Sequence, residues 1–236
     1  MGTSSDKNLA IVGYGKMGRI IERLAPEYGF AVKLRLDIDN NANFEGLTEA
    51  NFRGIDAAVE FSTPATAPEN IERLARLGVN AVVGTTGWFE HLDGARSAVL
   101  RRQTGLVWSP NFSVGVGIFS QLVAEAARRM ARQPEYGAWA WEIHHATKKD
   151  APSGTMLALV DSMKQSGYDR PVDVQCNRAG AHPGAHEIGF DSAADTITIR
   201  HTARSRDGFA RGALRAARWL AGKKGFFDFR DIVDRV

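Results

Sequence analysis

Leu9-Ala10-Ile11-Val12-Gly13-Tyr14-Gly15-Lys16-Met17-Gly18 is the stretch that decides the fold. Its four apolar residues read as a short buried strand. The pattern Gly13-x-Gly15-x-x-Gly18 follows, and then Ile20, Ile21 and Leu24 recur at helical spacing. Strand, glycine turn and helix in that order describe a dinucleotide-binding loop, and each glycine has its own reason to be there. Gly13 makes the tight turn, Gly15 lets the backbone approach a pyrophosphate, and Gly18 lets helix and strand pack closely. The pyrophosphate rests on the helix N-terminus, where unpaired amides and the helix dipole favour negative charge. Gly13, Tyr14, Gly15, Lys16, Met17 and Gly18 are therefore the first cofactor-binding candidates.

Outward from this loop, strands and helices alternate. Strands are expected over 31–37, 55–61, 80–83 and 105–108, with helices over 64–77 and 91–102 and Pro64 in the first turn of its helix. Such alternation implies a parallel sheet covered on both faces. After residue 112 the pattern changes. A long helix (114–131), a strand (138–145) and a helix from 153 to 165 capped by Ser153 lead into three successive strands, 172–177, 186–190 and 196–202. The chain ends in a helix over 208–221 and a short amphipathic tail. The fold class expected is α/β: a Rossmann-type doubly wound parallel sheet plus a second α+β domain with a mixed or antiparallel sheet. The first domain comprises 1–112 and 207–236, and the second 113–206.

Asp37 ends the second strand, where an acid accepts the hydroxyls of the adenosine ribose. Asp39 competes for that role. A carboxylate there disfavours the 2′-phosphate of NADP, while Arg35 softens the preference if its side chain reaches the ribose. NADH is thus the preferred cofactor, with NADPH use left open. Gly84-Thr85-Thr86-Gly87 and Ser109-Pro110-Asn111-Phe112 follow the fourth and fifth strands. Ligands bind at the carboxyl ends of strands in such sheets, so Gly84, Thr85, Thr86, Ser109, Pro110, Asn111 and Phe112 are further candidates, against the alternative of ordinary turns.

The chain has 236 residues, a formal charge of +3 and a 44% hydrophobic fraction, which is a globular composition. Its basic residues are scattered rather than gathered into a stripe, so an anionic small molecule fits better than a nucleic acid. Cys176 is the single cysteine, which excludes an intrachain disulfide. No apolar run approaches the ~20 residues that cross a bilayer. Residues 1–6 lack a signal-peptide core and the myristoylation pattern, so a cytoplasmic protein is expected.

The most chemically loaded stretch is Glu142-Ile143-His144-His145-Ala146-Thr147-Lys148-Lys149-Asp150-Ala151-Pro152-Ser153-Gly154-Thr155. Neighbouring histidines on a strand end point to opposite faces. Histidine exchanges a proton near neutral pH and lysine supplies charge or a proton. Gly154 and Thr155 offer amides at a helix start, a place for a carboxylate. Together these describe a site for an acidic substrate that gains a proton. A zinc site using His144, His145 and His182 or His186 is the rival reading. It lacks a cysteine partner and a His-Glu-x-x-His helix, and no metal is expected.

At this stretch the sequence resembles the dihydrodipicolinate reductase family of bacterial lysine biosynthesis. The family's Glu-x-His-His-x-x-Lys-x-Asp-x-Pro-Ser-Gly-Thr pattern is matched at every specified position from Glu142 to Thr155. The resemblance extends to the glycine loop, Gly84–Gly87, Asn111–Val116, Arg178-Ala179-Gly180, Ser205-Arg206 and Trp219-Leu220. It implies a substrate domain inserted into the nucleotide domain, which also builds a homotetramer. It implies His144 as catalytic acid/base, Lys148 as proton donor, and His145, Ser153, Gly154, Thr155 and Arg206 as substrate-binding residues. The implied reaction is reduction of the 4-hydroxy-tetrahydrodipicolinate or dihydrodipicolinate dicarboxylate to tetrahydrodipicolinate. Three departures stand out: a short segment 38–54, no arginine directly after Asp37, and Glu187 after His186. Two other readings keep part of this pattern: an amino-acid or imine dehydrogenase on the same two-domain plan, and a protein that senses NADH without turnover.

Overall fold

The computed structural model describes residues 6–236, so the reading of Met1 to Ser5 lies outside the described residues. In chain order the elements are β1 (Lys7–Val12), α1 (Lys16–Leu24), β2 (Phe30–Leu36), β3 (Ala57–Glu60), α2 (Ala67–Arg76), β4 (Asn80–Val83), α3 (Leu92–Arg101) and β5 (Gly105–Trp108). There follow α4 (Val114–Met130), β6 (Gly137–His144), α5 (Gly154–Gln165), β7 (Val172–Arg178), β8 (Ala185–Asp191) and β9 (Thr196–Thr202). The chain closes with α6 (Asp207–Trp219), β10 (Gly225–Asp228) and α7 (Phe229–Ile232). Two compact units result: residues up to Val114 together with Asp207–Val236, and Gly115–Arg206 between them in sequence.

The first unit holds a six-stranded sheet in the order β10-β5-β4-β3-β1-β2, with every pairing parallel. Side chains alternate across it. Leu9 and Ile11 of β1 join Ile21, Leu24, Leu214 and Ala217 from α1 and α6 in one core. Ala10 and Val12 face the other way, to Ile71, Leu74, Ala95 and Val99 of α2 and α3. This is the doubly wound sheet expected from the alternating pattern. The short segment after β2 is a run of turns that anchors itself by burying Leu47 and Phe52.

Two details differ from the sequence reading. Helix α2 starts at Ala67 rather than Pro64, because the Thr63 carbonyl accepts from Thr66 and Ala67 in a preceding turn. Pro68, not Pro64, occupies its first turn. The amphipathic tail is also more than a tail: β10 pairs in parallel with β5, from Gly225 opposite Gly105 to Asp228 opposite Trp108. A four-residue edge strand carries too little alternation to reveal itself by period.

The second unit holds a four-stranded sheet, β7-β6-β8-β9. β6 runs parallel to β7 and antiparallel to β8, and β8 antiparallel to β9, so the sheet is mixed. Alternate residues of β6 are buried, as expected for a sheet with one covered face. Ala138 and Ala140 pack with Phe119, Val123, Met156, Leu159 and Met163 of α4 and α5.

Candidate active site

The glycine loop of the first unit has the geometry its pattern predicts. Gly13 adopts φ +93°, and a Cβ there would collide with the backbone of Phe61. A Cβ on Gly18 would lie 2.6 Å from the Gly13 carbonyl oxygen, so only glycine lets α1 sit this close to β1. Around Gly15 a Cβ would meet nothing within 4 Å. Helix α1 starts there without a side-chain cap and without an acidic residue in its first turn. A dinucleotide's pyrophosphate fits this place: backbone open to approach, and a helix N-terminus with no side chain competing for its amides.

Tyr14 donates through its hydroxyl to Glu22, and Arg19 lies 5.1 Å from the Tyr14 ring centroid. Arg35 also binds Glu22, its Nε at 2.7 Å from Oε1. That pair fixes Arg35 on α1 rather than extending it from the strand end. Lys16 and Met17 form the first residues of α1. Asp37 is exposed directly after β2, and its amide donates to Asn40 Oδ1 at 2.8 Å.

The loops after β3, β4 and β5 lie at neighbouring carboxyl ends of the sheet. Gly84 packs against the Phe61 ring, and Thr85 is buried and accepts from the Ser62 amide at 2.8 Å. Thr86 follows it in the same loop. Ser109 Oγ donates to the Asn111 carbonyl at 2.8 Å, folding Ser109-Pro110-Asn111 into a turn. The Phe112 side chain is buried between Phe61 and Phe229, so what it offers a ligand at this loop is backbone. The β3 loop, Phe61 to Thr63, belongs to this group although the sequence reading passed over it. Its signal was Glu60, an acid at the end of an otherwise apolar buried run.

The charged stretch lies wholly in the second unit. Glu142 and His144 share the buried face of β6. His145, just past the strand, is half-exposed, its Nδ1 at 2.8 Å from Thr147 Oγ1. Glu142 is fully buried and organises the loop behind it. Its Oε1 accepts from the Ser153 amide at 3.0 Å and from Arg178 Nη2 at 2.8 Å, and its Oε2 accepts from the Ser153 hydroxyl. Ser153 Oγ also accepts from the Met156 amide at 3.2 Å, which makes it the N-cap of α5 as expected. Gly154 and Thr155 are the first residues of that helix. Arg178 reaches the Asp150 carbonyl as well, so one guanidinium pins both ends of the turn that carries Lys148. Lys148 Nζ donates to both carboxylate oxygens of Asp150, at 2.7 and 2.9 Å. Arg206, the last residue of this unit, is exposed.

Glu142, Arg178 and Asp150, to which the sequence reading gave no role, and His186, which entered it only as a rival zinc ligand, thus complete the site around His144, Lys148 and Ser153. His186 lies 3.4 Å from Glu142 Oε2 and 3.2 Å from Ser153 Oγ, with its ring 5.0 Å from that of His144. Burial pushes the His186 imidazole down to about 4, helped by the neighbouring His144. Burial also lowers His144, against the pull of Glu142, so both rings are neutral near pH 7. Burial pushes Glu142 up, but the bonds from Ser153 and Arg178 outweigh it and hold the carboxyl below its ordinary value. The buried Nδ1 of His144 has no hydrogen-bond partner, 3.8 Å from Glu142.

Ligand atoms of Glu142, His144 and His186 lie within 4.8 Å of one another, the spacing of a metal site. His145 and His182 are not part of that group. The Glu142 carboxylate is already paired with a guanidinium and a hydroxyl, so a cation would be set against the Arg178 charge. The cluster is built to hold a neutral imidazole and to order a loop.

Comparison with known proteins gives this arrangement a relationship. The family description "Dihydrodipicolinate reductase, N-terminus" matches residues 7–112, and "Dihydrodipicolinate reductase, C-terminus" matches residues 115–233. A 4-hydroxy-tetrahydrodipicolinate reductase of Christiangramia forsetii is 34% identical over 239 residues, covering 96% of this chain and 97% of that one. The corresponding protein of Archaeoglobus fulgidus is 32% identical, covering 93% of this chain and 96% of its own. The fold is similar to a dipicolinate-bound dihydrodipicolinate reductase from Paenisporosarcina sp. TG-14, with a TM-score of 0.81 at 20% identity over 98% of this chain and 100% of that one. An amine dehydrogenase from Mycobacterium smegmatis shares the fold more loosely, with a TM-score of 0.67 at 10% identity over 97% of this chain and 96% of its own. With both halves of the chain matched and relatives above 30% identity over nearly their full length, the chain belongs to the dihydrodipicolinate reductase family.

Proposed function

We propose that the protein is a 4-hydroxy-tetrahydrodipicolinate reductase, reducing its cyclic dicarboxylate substrate to tetrahydrodipicolinate, with loss of water from the 4-hydroxy precursor. The observation that carries this reading is the loop from Glu142 to Thr155. It carries a neutral His144 at the end of β6, Lys148 and the start of α5 within one short segment, in a chain of this family. A pyridine nucleotide, when bound, supplies the hydride.

The chain's own residues have separable tasks. Gly13, Gly15 and Gly18 receive the pyrophosphate on the N-terminus of α1, and Asp37 accepts from the adenosine ribose. The turns at Gly84–Thr86 and Ser109–Phe112 line the nicotinamide end. Lys148 Nζ delivers the proton that balances the hydride, and His144 acts as acid/base beside the reacting ring. His145, Ser153, Gly154, Thr155 and Arg206 bind the substrate, its carboxylates drawn to cationic groups and to helix-start amides. Ser153 contributes through its cap of α5, since its hydroxyl and amide are occupied by Glu142.

The placement of Asp37 and the pairing of Arg35 with Glu22 support NADH as the preferred nucleotide, with NADPH second. A 2′-phosphate would meet the Asp37 carboxylate without a guanidinium extended to offset it. Paired titrations test this: NADH should bind more tightly than NADPH, and Asp37→Ala should narrow the gap. Equal affinities in the wild type would remove the argument. The half-exposed face of the second unit's sheet, with Trp139 and Trp141 of β6, is the surface proposed for a homotetramer.

A further inference from the structure

Glu60 is the last residue of β3 and has no solvent exposure. It lies opposite Val12 of β1 and Val83 of β4, the residues just before the Gly13 and Gly84 turns. The Glu60 carbonyl accepts from the Gly84 amide at 2.9 Å, and the Phe61 amide donates to the Val12 carbonyl at 2.8 Å. Three ligand-facing turns are therefore stitched together at this one residue.

Its side chain is held by neutral groups. Oε1 accepts from the Ser62 amide and from Asn70 Nδ2, both at 3.2 Å, and from the Ser62 hydroxyl. Asn70 Nδ2 also donates to Ser62 Oγ at 3.1 Å, and the Ser62 amide donates to Thr85 Oγ1 at 2.8 Å. Trp88 Nε1 then fixes the Thr85 carbonyl at 2.8 Å. Two acceptors are left over: Glu60 Oε2 and Asn70 Oδ1 are buried with no hydrogen-bond partner among the described residues. A carboxylate here would be a buried charge with no cation to offset it. A carboxylic acid removes the charge and turns Oε2 from a leftover acceptor into a donor. Burial raises the carboxyl's affinity for its proton, and the bonds from Ser62, Thr85 and Asn70 do not reverse that.

We propose that Glu60 is a neutral carboxylic acid in the folded protein and a positioning residue for the nucleotide site, bracing the Ser62 and Thr85 turns through Asn70. This rests on the reading of those turns as part of the cofactor site. It does not depend on the substrate's identity.

The test compares wild type, Glu60→Gln and Glu60→Ala by NADH titration without substrate and by infrared spectroscopy in mildly alkaline buffer, where exposed carboxyls are ionised. The wild type should show the carbonyl band of a protonated carboxyl, and Glu60→Gln should lack it. Glu60→Gln, neutral and of the same shape, should keep NADH affinity within about threefold. Glu60→Ala should weaken NADH about tenfold, having removed the acceptor shared by Ser62 and Asn70 and left a cavity beneath the turns. Dipicolinate binding should be unchanged in both. If Glu60→Ala does not fold, Ser62→Ala takes its place with the same expected loss. Absence of the band in the wild type, a Glu60→Gln variant as weak as Glu60→Ala, or undiminished NADH affinity in the alanine variants would each overturn the proposal. Failure of the reductase reading looks different: NADH would bind and no substrate would turn over.

Discussion

Lys148, on the turn after β6, and His144, at the end of that strand, are held in different ways. Among the described residues Lys148 pairs with Asp150, an exposed partner it can leave when a substrate carboxylate arrives. Replacing Lys148 with Ala should therefore spare the fold and NADH binding while lowering kcat by roughly 100- to 10,000-fold, the usual worth of a positioned proton donor. Stopped-flow turnover beside an NADH titration checks both halves. His144 is held by what surrounds it. Gly184, at φ +128°, presses its backbone against the ring, and a Cβ there would lie 3.0 to 3.1 Å from the imidazole. Gly184→Ala should displace His144 and destabilise the protein by about 1–3 kcal/mol, visible as a lowered Tm together with a lowered kcat. Glu142 is structural first: Glu142→Ala strands Arg178 and should cost about 3 kcal/mol. Much of this site was legible in the sequence, because a contiguous motif keeps its members close whatever the fold. Arg178 was given no role and His186 entered only as a rival metal ligand, since strands β7 and β8 bring them to Glu142 only through sheet pairing.

At the scale of elements, the β1-turn-α1 unit separates structural from functional glycines. A Cβ at Gly18 would strike the Gly13 carbonyl, whereas a Cβ at Gly15 would meet open space. Gly18→Ala should lower both Tm and NADH affinity. Gly15→Ala should shift Tm by no more than about 1 °C and yet weaken NADH, because only the ligand needs that space. Differential scanning fluorimetry with and without NADH distinguishes the two. If Gly15→Ala binds NADH normally, the pyrophosphate is not on this loop. β1 was readable as a continuous apolar run between a polar start and a glycine turn, and the longer α4 and β6 from their periods. The start of α2 was misplaced because both Pro64 and Pro68 suit a first turn, and the Thr63 turn decides between them only in three dimensions. β10 escaped because its pairing with β5 joins residues more than a hundred positions apart.

For the whole molecule, buried ionisable groups set the response to pH. His186 is held at about 4 in the folded chain and returns to about 6.5 when unfolded. The unfolded chain then binds more protons in that window, so stability is fully present above about pH 6.5 and is lost as pH falls towards 4. Urea unfolding at about pH 7.5 and 5 should differ by about 2 kcal/mol from His186 alone, and His186→Gln should shrink the difference by about that much, leaving the part due to the lowered His144 and His201. Glu60 acts with the opposite sign: its raised proton affinity stabilises at low pH and is lost as pH rises through the folded value. The two-unit plan itself was foreshadowed by the change from alternating strands and helices to strands in succession after residue 112. The most direct measurement is loss of reduced-nicotinamide absorbance with freshly prepared 4-hydroxy-tetrahydrodipicolinate, for wild type and Lys148→Ala. Turnover by the wild type with NADH, almost abolished in Lys148→Ala while NADH still binds, is the expected result. No turnover with either NADH or NADPH, or an undiminished Lys148→Ala enzyme, would contradict it.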